Sequence, residues 1–135
     1  MKLLVNTNRL IAALIKDSVS RKILINNCFD FFTISMSIKE IDEHLPELVE
    51  KVSSSKEIVL EMLEQIVQHT TTINDTLIEQ RIVEAKEIMD SIDPNDAPFI
   101  ATALSYNCDI WSDDKHFQQQ QKIKVWTTEH LLKLI

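Results

Sequence analysis

None of the 135 residues is glycine. At ordinary usage of ~7%, about nine would be expected in a chain of this size. The absence removes the residue that enters φ > 0 without steric cost, so every left-handed turn must be built on a side chain that tolerates it, Asn or Asp before others. Asn26-Asn27, Asn95 and Asn107 are the candidates, each where a regular element should end. The same absence excludes function classes. A GxGxxG fingerprint or a Walker A loop needs glycine so that backbone N–H groups can close on phosphates, and neither can be written here.

Apolar patterning then fixes the fold class. Hydrophobic residues make up 44% and charged residues 26%, too apolar for a disordered chain. No apolar run approaches the ~20 residues that span a bilayer. The N-terminal MKLLVNTNRLIAALI is broken by Asn6, Asn8 and Arg9 and reads as structure rather than a leader. Cys28 and Cys108 have no metal-like spacing and read as reduced thiols, which suggests a cytoplasmic protein. The length fits one domain over 1–135.

Short apolar runs at 2–5, 30–34, 70–73, 109–111 and 124–126 read as strands. Between them lie segments of helical periodicity: 9–16 capped by Asn8, 18–26, 37–52 broken or kinked at Pro46, 58–68, 77–90 and 96–106. A last helix, 127–135, opens on Thr127-Thr128. The glutamine run 118–121 reads as a surface loop. Short strands alternating with helices predict an α/β fold of three layers, α/β/α, around a central parallel sheet.

In such sheets ligands bind beyond the carboxyl ends of the strands. Asn6 follows the first strand, Asp114 follows the strand at 109–111, Asp96 opens a helix, and Glu40 lies in the first turn of the helix after the second strand. Taken singly each has an ordinary explanation: Asp96 as a helix cap, Glu40 as a solvated helix residue, Asp114 and Asn6 as turn residues. Taken in order, with LLVNTNRLIAALIKDSVSRKIL, SIKEI, DPNDAPFIATALSYNCDIWSDDKHF and the closing VWTTEHLLKL, they resemble the PIN-domain nuclease family over nearly the whole chain. The most specific stretch is Asp93 to Phe117: an Asp opening an xFIATAL helix, a strand, then Ser112-Asp113-Asp114.

The resemblance implies a metal-dependent endoribonuclease that uses Mg²⁺ or Mn²⁺, with Asn6, Glu40, Asp96 and Asp114 as metal-holding and catalytic positions. Thr7, Asn8, Ser112 and Asp113 support them, and Arg9, Lys39 and Lys115, with Lys16 and Lys122, form an RNA-binding rim. A net charge of −7 is unusual for an RNA binder, so basic residues must cluster locally. The chain departs from the family at one position, where Asn6-Thr7-Asn8 replaces Asp-Thr-Asn. An amide there keeps an oxygen ligand but removes a charge, which implies an inactivated or weakened site. The rest of the set is intact, which favours the silencing of a working site over divergence. Asn6 also removes the nucleophile that a receiver-like phosphoacceptor would need.

The resemblance also implies that some small relatives are toxins held by a small antitoxin and others free-standing nucleases of ribosomal or messenger RNA turnover, and that relatives commonly form homodimers. Ile23, Ile38, Ile41, Leu45 and Leu48 are the apolar residues available for both a core and a contact patch. A catalytically dead fold acting through partners is the alternative reading.

Overall fold

The computed structural model describes residues 1–15 and 18–135, so Lys16 lies outside the described residues. Strands β1 (Lys2–Val5), β2 (Asp30–Ile34), β3 (Thr70–Ile73), β4 (Asp109–Trp111) and β5 (Val125–Trp126) form one sheet of order β3-β2-β1-β4-β5. Every pairing is parallel, with Leu3 opposite Phe31 on one side and Asp109 on the other.

Strand alternation divides the interior in two. Leu3, Val5, Phe31 and Trp111 point into one core. It is closed by α1 (Thr7–Ile15), α2 (Ser18–Leu24), α3 (Ser35–Glu43), α4 (Leu45–Val52), α5 (Lys56–Gln68) and α9 (Thr128–Leu132). Leu4, Phe32, Ile34 and Ile110 point into the other core, under α6 (Thr76–Met89), α7 (Ala97–Tyr106) and α8 (Lys115–Gln118). The three layers expected from the sequence are present.

Several boundaries differ from the sequence reading. α1 begins at Thr7, and its cap is Asn6 rather than Asn8: Asn6 Oδ1 accepts from the Asn8 N–H at 2.9 Å. The segment 37–52 is two helices separated at His44, with Pro46 in the first turn of α4, where its missing N–H leaves no bond unmade. α2 ends at Leu24 and α9 at Leu132, both short of their expected ends. The run at 118–121 is not all surface: Gln120 is buried, its amide donating to the Phe117 and Ile123 carbonyls and accepting from the Ile123 N–H. Ile23, Ile41, Leu45 and Leu48 are core residues and supply no contact patch.

Among the described residues, positive φ occurs at Asn107 (52°) and Ser53 (55°), and not at Asn26, Asn27 or Asn95. Asn107 ends α7, returning its N–H to the Ala103 carbonyl. Ser53 does the same for α4, at a serine that composition alone did not single out. Asn107→Ala should lower stability in urea denaturation by about 1 kcal/mol, because Cβ then crowds the carbonyl without Asn's local hydrogen bonding. Ser53→Gly should raise it, by at most about 1 kcal/mol after glycine's larger unfolded-state entropy is counted.

Candidate metal centre

Winding outward from β1 runs through β2 to β3 on one side and through β4 to β5 on the other. The carboxyl ends of β1 and β4 therefore flank the switch point, where parallel α/β sheets open a crevice. Val5 pairs with Trp111, and the Asn6 N–H donates to the Trp111 carbonyl at 3.1 Å. Residue 6 and the 112–114 loop thus leave the sheet side by side.

Asn6 is buried, and its side chain is held at both ends. Oδ1 accepts from the Asn8 N–H, and Nδ2 donates to Ser112 Oγ at 3.1 Å. The reverse amide orientation would set donor against donor at Asn8. Ser112 Oγ also accepts from the Asp114 N–H at 3.0 Å, so one buried hydroxyl ties residue 6 to Asp114. On the other flank the Thr7 and Ser37 hydroxyls share a 2.7 Å hydrogen bond, and Thr7 hydrogen-bonds the Glu40 carboxylate. Burial, then Glu43, raises the Glu40 carboxyl above its ordinary range, with His44 and Thr7 opposing.

Asp96 occupies the N-cap position of α7 but makes no capping bond. Its Oδ2 is buried without a hydrogen-bond partner. A carboxylate placed to cap a helix would accept a first-turn N–H, so the capping explanation fails here. Burial raises the Asp96 carboxyl to about 6, helped by Asp93, Asp114 and Glu40 and opposed by His116. Asp114 caps α8, accepting from the His116 N–H at 2.9 Å. Asp93 caps the 3-10 turn Pro94–Asp96 through the Asn95 N–H. His116 Nδ1 lies 3.4 Å from an oxygen of Asp93 and 3.4 Å from one of Asp114.

The donor set fits a divalent cation. Asp93, Asp96 and His116 each offer a ligand atom within 4.8 Å of the others, one carboxylate oxygen of Asp96 is buried with nothing to bond, and Asp93, Asp114 and Glu40 add to the effect of burial in raising the Asp96 carboxyl. Asp96, Glu40 and Asp114 thus share an electrostatic environment, and Asn6 joins them through Ser112. Asn8 contributes its backbone N–H. Asp113 is engaged elsewhere: it accepts from Thr128 N–H and Oγ1, at 2.7 and 2.6 Å, and pairs with Arg9 at 2.9 Å. Arg9 also donates to Ser20 and is mostly buried, whereas Lys39, Lys115 and Lys122 are exposed. Ser37, Asp93 and His116 were not among the expected site residues. Asp93 and His116 fall within the most specific stretch of sequence, but only folding brings them together.

A parallel three-layer sheet with acids at its switch point is the class that fold and site define. The PIN domain model matches residues 4–134, and the chain belongs to the PIN domain family. Among solved structures it is similar to VapBC2 from Rickettsia felis, crystallised bound to a DNA fragment from the promoter. That match has a TM-score of 0.74 and 16% identity over 94% of this chain and 98% of the other. It is also similar to PAE2754 from Pyrobaculum aerophilum, with a TM-score of 0.70 and 14% identity over 99% and 89% of the two chains. A comparison with curated proteins finds no match.

A carboxyl raised from 3.8 to about 6 binds more protons in the folded than in the unfolded state between those values. Ionising Asp96 therefore destabilises the ion-free fold: stability falls as pH rises through that window, and the full penalty stands above it. Asp96→Asn should stabilise the ion-free protein at pH 7.5, on the order of 1 kcal/mol once solvent screening is allowed for, and not at pH 3.5. Thermal melts in EDTA at the two pH values measure this.

Proposed function

We propose that this chain is a single-domain, metal-dependent endoribonuclease of toxin type, its activity weakened by Asn6. The observation that supports it most is the buried, unpartnered Asp96 oxygen among Asp93, Asp114 and Glu40.

In this reading Asp96, Asp114 and Glu40, with the oxygen of residue 6, hold Mg²⁺ or Mn²⁺. An ion held there would supply a water of lowered pKa and would screen the scissile phosphate. Ser112 fixes residue 6 against the 112–114 loop, and Thr7 orients Glu40. Lys39 and Lys115, both exposed, would meet RNA phosphates and offset the acidic surface. Arg9, tied to Asp113, acts on the rim by holding that loop. The VapBC2 likeness supports a small antitoxin as partner; in this reading both work in the cytoplasm. A homodimer completes the reading, though its contact must involve residues other than the core apolar set.

Asn6 supplies a dipole where the family has a charge. At 4 Å a unit charge pair is worth ~4 kcal/mol at an effective dielectric of 20, and about double against a divalent ion, much of it offset by desolvation. Asn6→Asp should therefore raise cleavage of a labelled single-stranded RNA about a hundredfold or more, in Mg²⁺ or Mn²⁺ and not in EDTA. A second change, Asp96→Asn, should abolish it. In cells the Asn6→Asp form should slow growth unless the antitoxin is co-expressed. The alternative, a silent fold working through partners, is favoured by the engagement of both polar atoms of Asn6. Equal rates for the two forms, or cleavage surviving EDTA, would support that alternative and remove residue 6 from the site.

A further inference from the structure

Asp93 and His116 stand outside the acids that the family resemblance assigns to the ion, yet the fold delivers them to the same place. One imidazole nitrogen of His116 and one carboxylate oxygen each of Asp93 and Asp96 lie within 4.8 Å of one another. Three elements bring them there: the turn before α7, the start of α7 and the first turn of α8.

Main-chain bonds fix two of the three. Asp93 Oδ1 accepts from the Asn95 N–H, which leaves Oδ2 facing His116. The His116 N–H is bound to Asp114 Oδ1, which sets the imidazole over the cluster. The 3.4 Å separations from Nδ1 to both acids exceed the ~2.7–2.9 Å of a charge-assisted hydrogen bond. The imidazole is therefore close to both carboxylates without a tight bond to either. The third donor is Asp96, a carboxylate whose Oδ2 is buried with no partner. Across the site, Asn6 is held by Asn8 and Ser112 and brings the ion no negative charge.

Resting on the metal-dependent reading above, we propose that Asp93, Asp96 and His116 hold the divalent ion on the α7–α8 side, with an imidazole nitrogen as ligand. The site then selects Mn²⁺ over Mg²⁺. Mg²⁺ is hard, favours oxygen and gives up water reluctantly, whereas the later first-row ions accept imidazole. Mn²⁺ shares the oxygen preference of Mg²⁺ but, as a first-row transition ion, accepts a nitrogen donor more readily. Asp93 also returns to the cluster the negative charge that Asn6 lacks.

The test uses the tag-free chain as it stands, with Mn²⁺ or Mg²⁺ alone as probe. Electron spin-echo spectroscopy of bound Mn²⁺ should show ¹⁴N coupling, and His116→Gln should abolish it. By calorimetry that variant should bind Mn²⁺ at least about tenfold more weakly, with Mg²⁺ changed less than about threefold. Asp93→Asn keeps an acceptor for the Asn95 N–H and should weaken both ions. His116 is 46% exposed, so the glutamine variant should keep its fold, which circular dichroism checks. Bound Mn²⁺ without ¹⁴N coupling, or equal losses of both ions in His116→Gln, overturns the imidazole ligand and leaves the metal-dependent reading standing. Absence of binding by either ion, or binding that Asp96→Asn does not reduce, overturns both.

Discussion

Like charge held together beyond the carboxyl ends of β1 and β4 is the constraint to which the surrounding structure answers. Burial, then the charges of Asp93, Asp114 and Glu40, raise the Asp96 carboxyl to about 6. Acids that repel one another stay close only if the backbone beneath them cannot yield. Leu3, Leu4, Val5, Ile110 and Trp111 are fully buried, and the parallel ladder runs unbroken through them. Strands buried on both faces are what parallel pairing requires, and here they are also what holds the acids in place. The Trp111 indole N–H adds a tie above the sheet, donating to Thr128 Oγ1, which is itself bonded to Asp113.

The loops carry the same load without glycine. Asn6, Asn26, Asn74, Asp93 and Asp114 each accept, through a side-chain oxygen, the N–H two residues on. Ser112 does so through its hydroxyl. These side-chain turns mimic a backbone turn while φ stays negative, and they restrict the loop more than glycine would. Several of them sit in the site. The composition that excludes a glycine-rich phosphate cradle thus belongs to a fold that positions acids with short, self-bonded polar side chains.

Strand positions, layer count and parallel pairing were legible in the sequence, because short apolar runs at 2–5, 30–34 and 109–111 alternate with helical periods and nothing else satisfies both. A break in 37–52 was legible from Pro46, though it falls at His44, two residues earlier. The true cap of α1 was not. Asn6 and Asn8 are equally good caps by residue type, and the Asn6–Trp111 backbone bond decides between them from over a hundred residues away in sequence. Ser53 was missed because its positive φ is imposed by the α4–α5 connection rather than by residue preference. Gln120 looked like part of a polar run, but its burial depends on carbonyls that the fold supplies. In the site, Asp93 reads locally as a turn residue and His116 as a surface helix residue. Each description is correct and incomplete, since neither spacing nor type shows that both converge on Asp96.

Residue 6 shows how one side chain can serve fold and site by separable means. Its structural work is to cap α1 and to bond Ser112, and Asn and Asp rank together as caps. Ser112 accepts from the Asn6 amide here. Facing a carboxylate, the same hydroxyl would turn its hydrogen toward residue 6 while still accepting from the Asp114 N–H. The scaffold therefore takes either residue with the same set of bonds. What changes is one negative charge, set beside acids that already crowd one another. Without a cation, that charge would add to the repulsion raising Asp96. With one bound, it would add to the attraction. Exchanging Asn for Asp at position 6 thus shifts the protein between a fold less strained in the absence of metal and a site better able to hold it, with the backbone common to both.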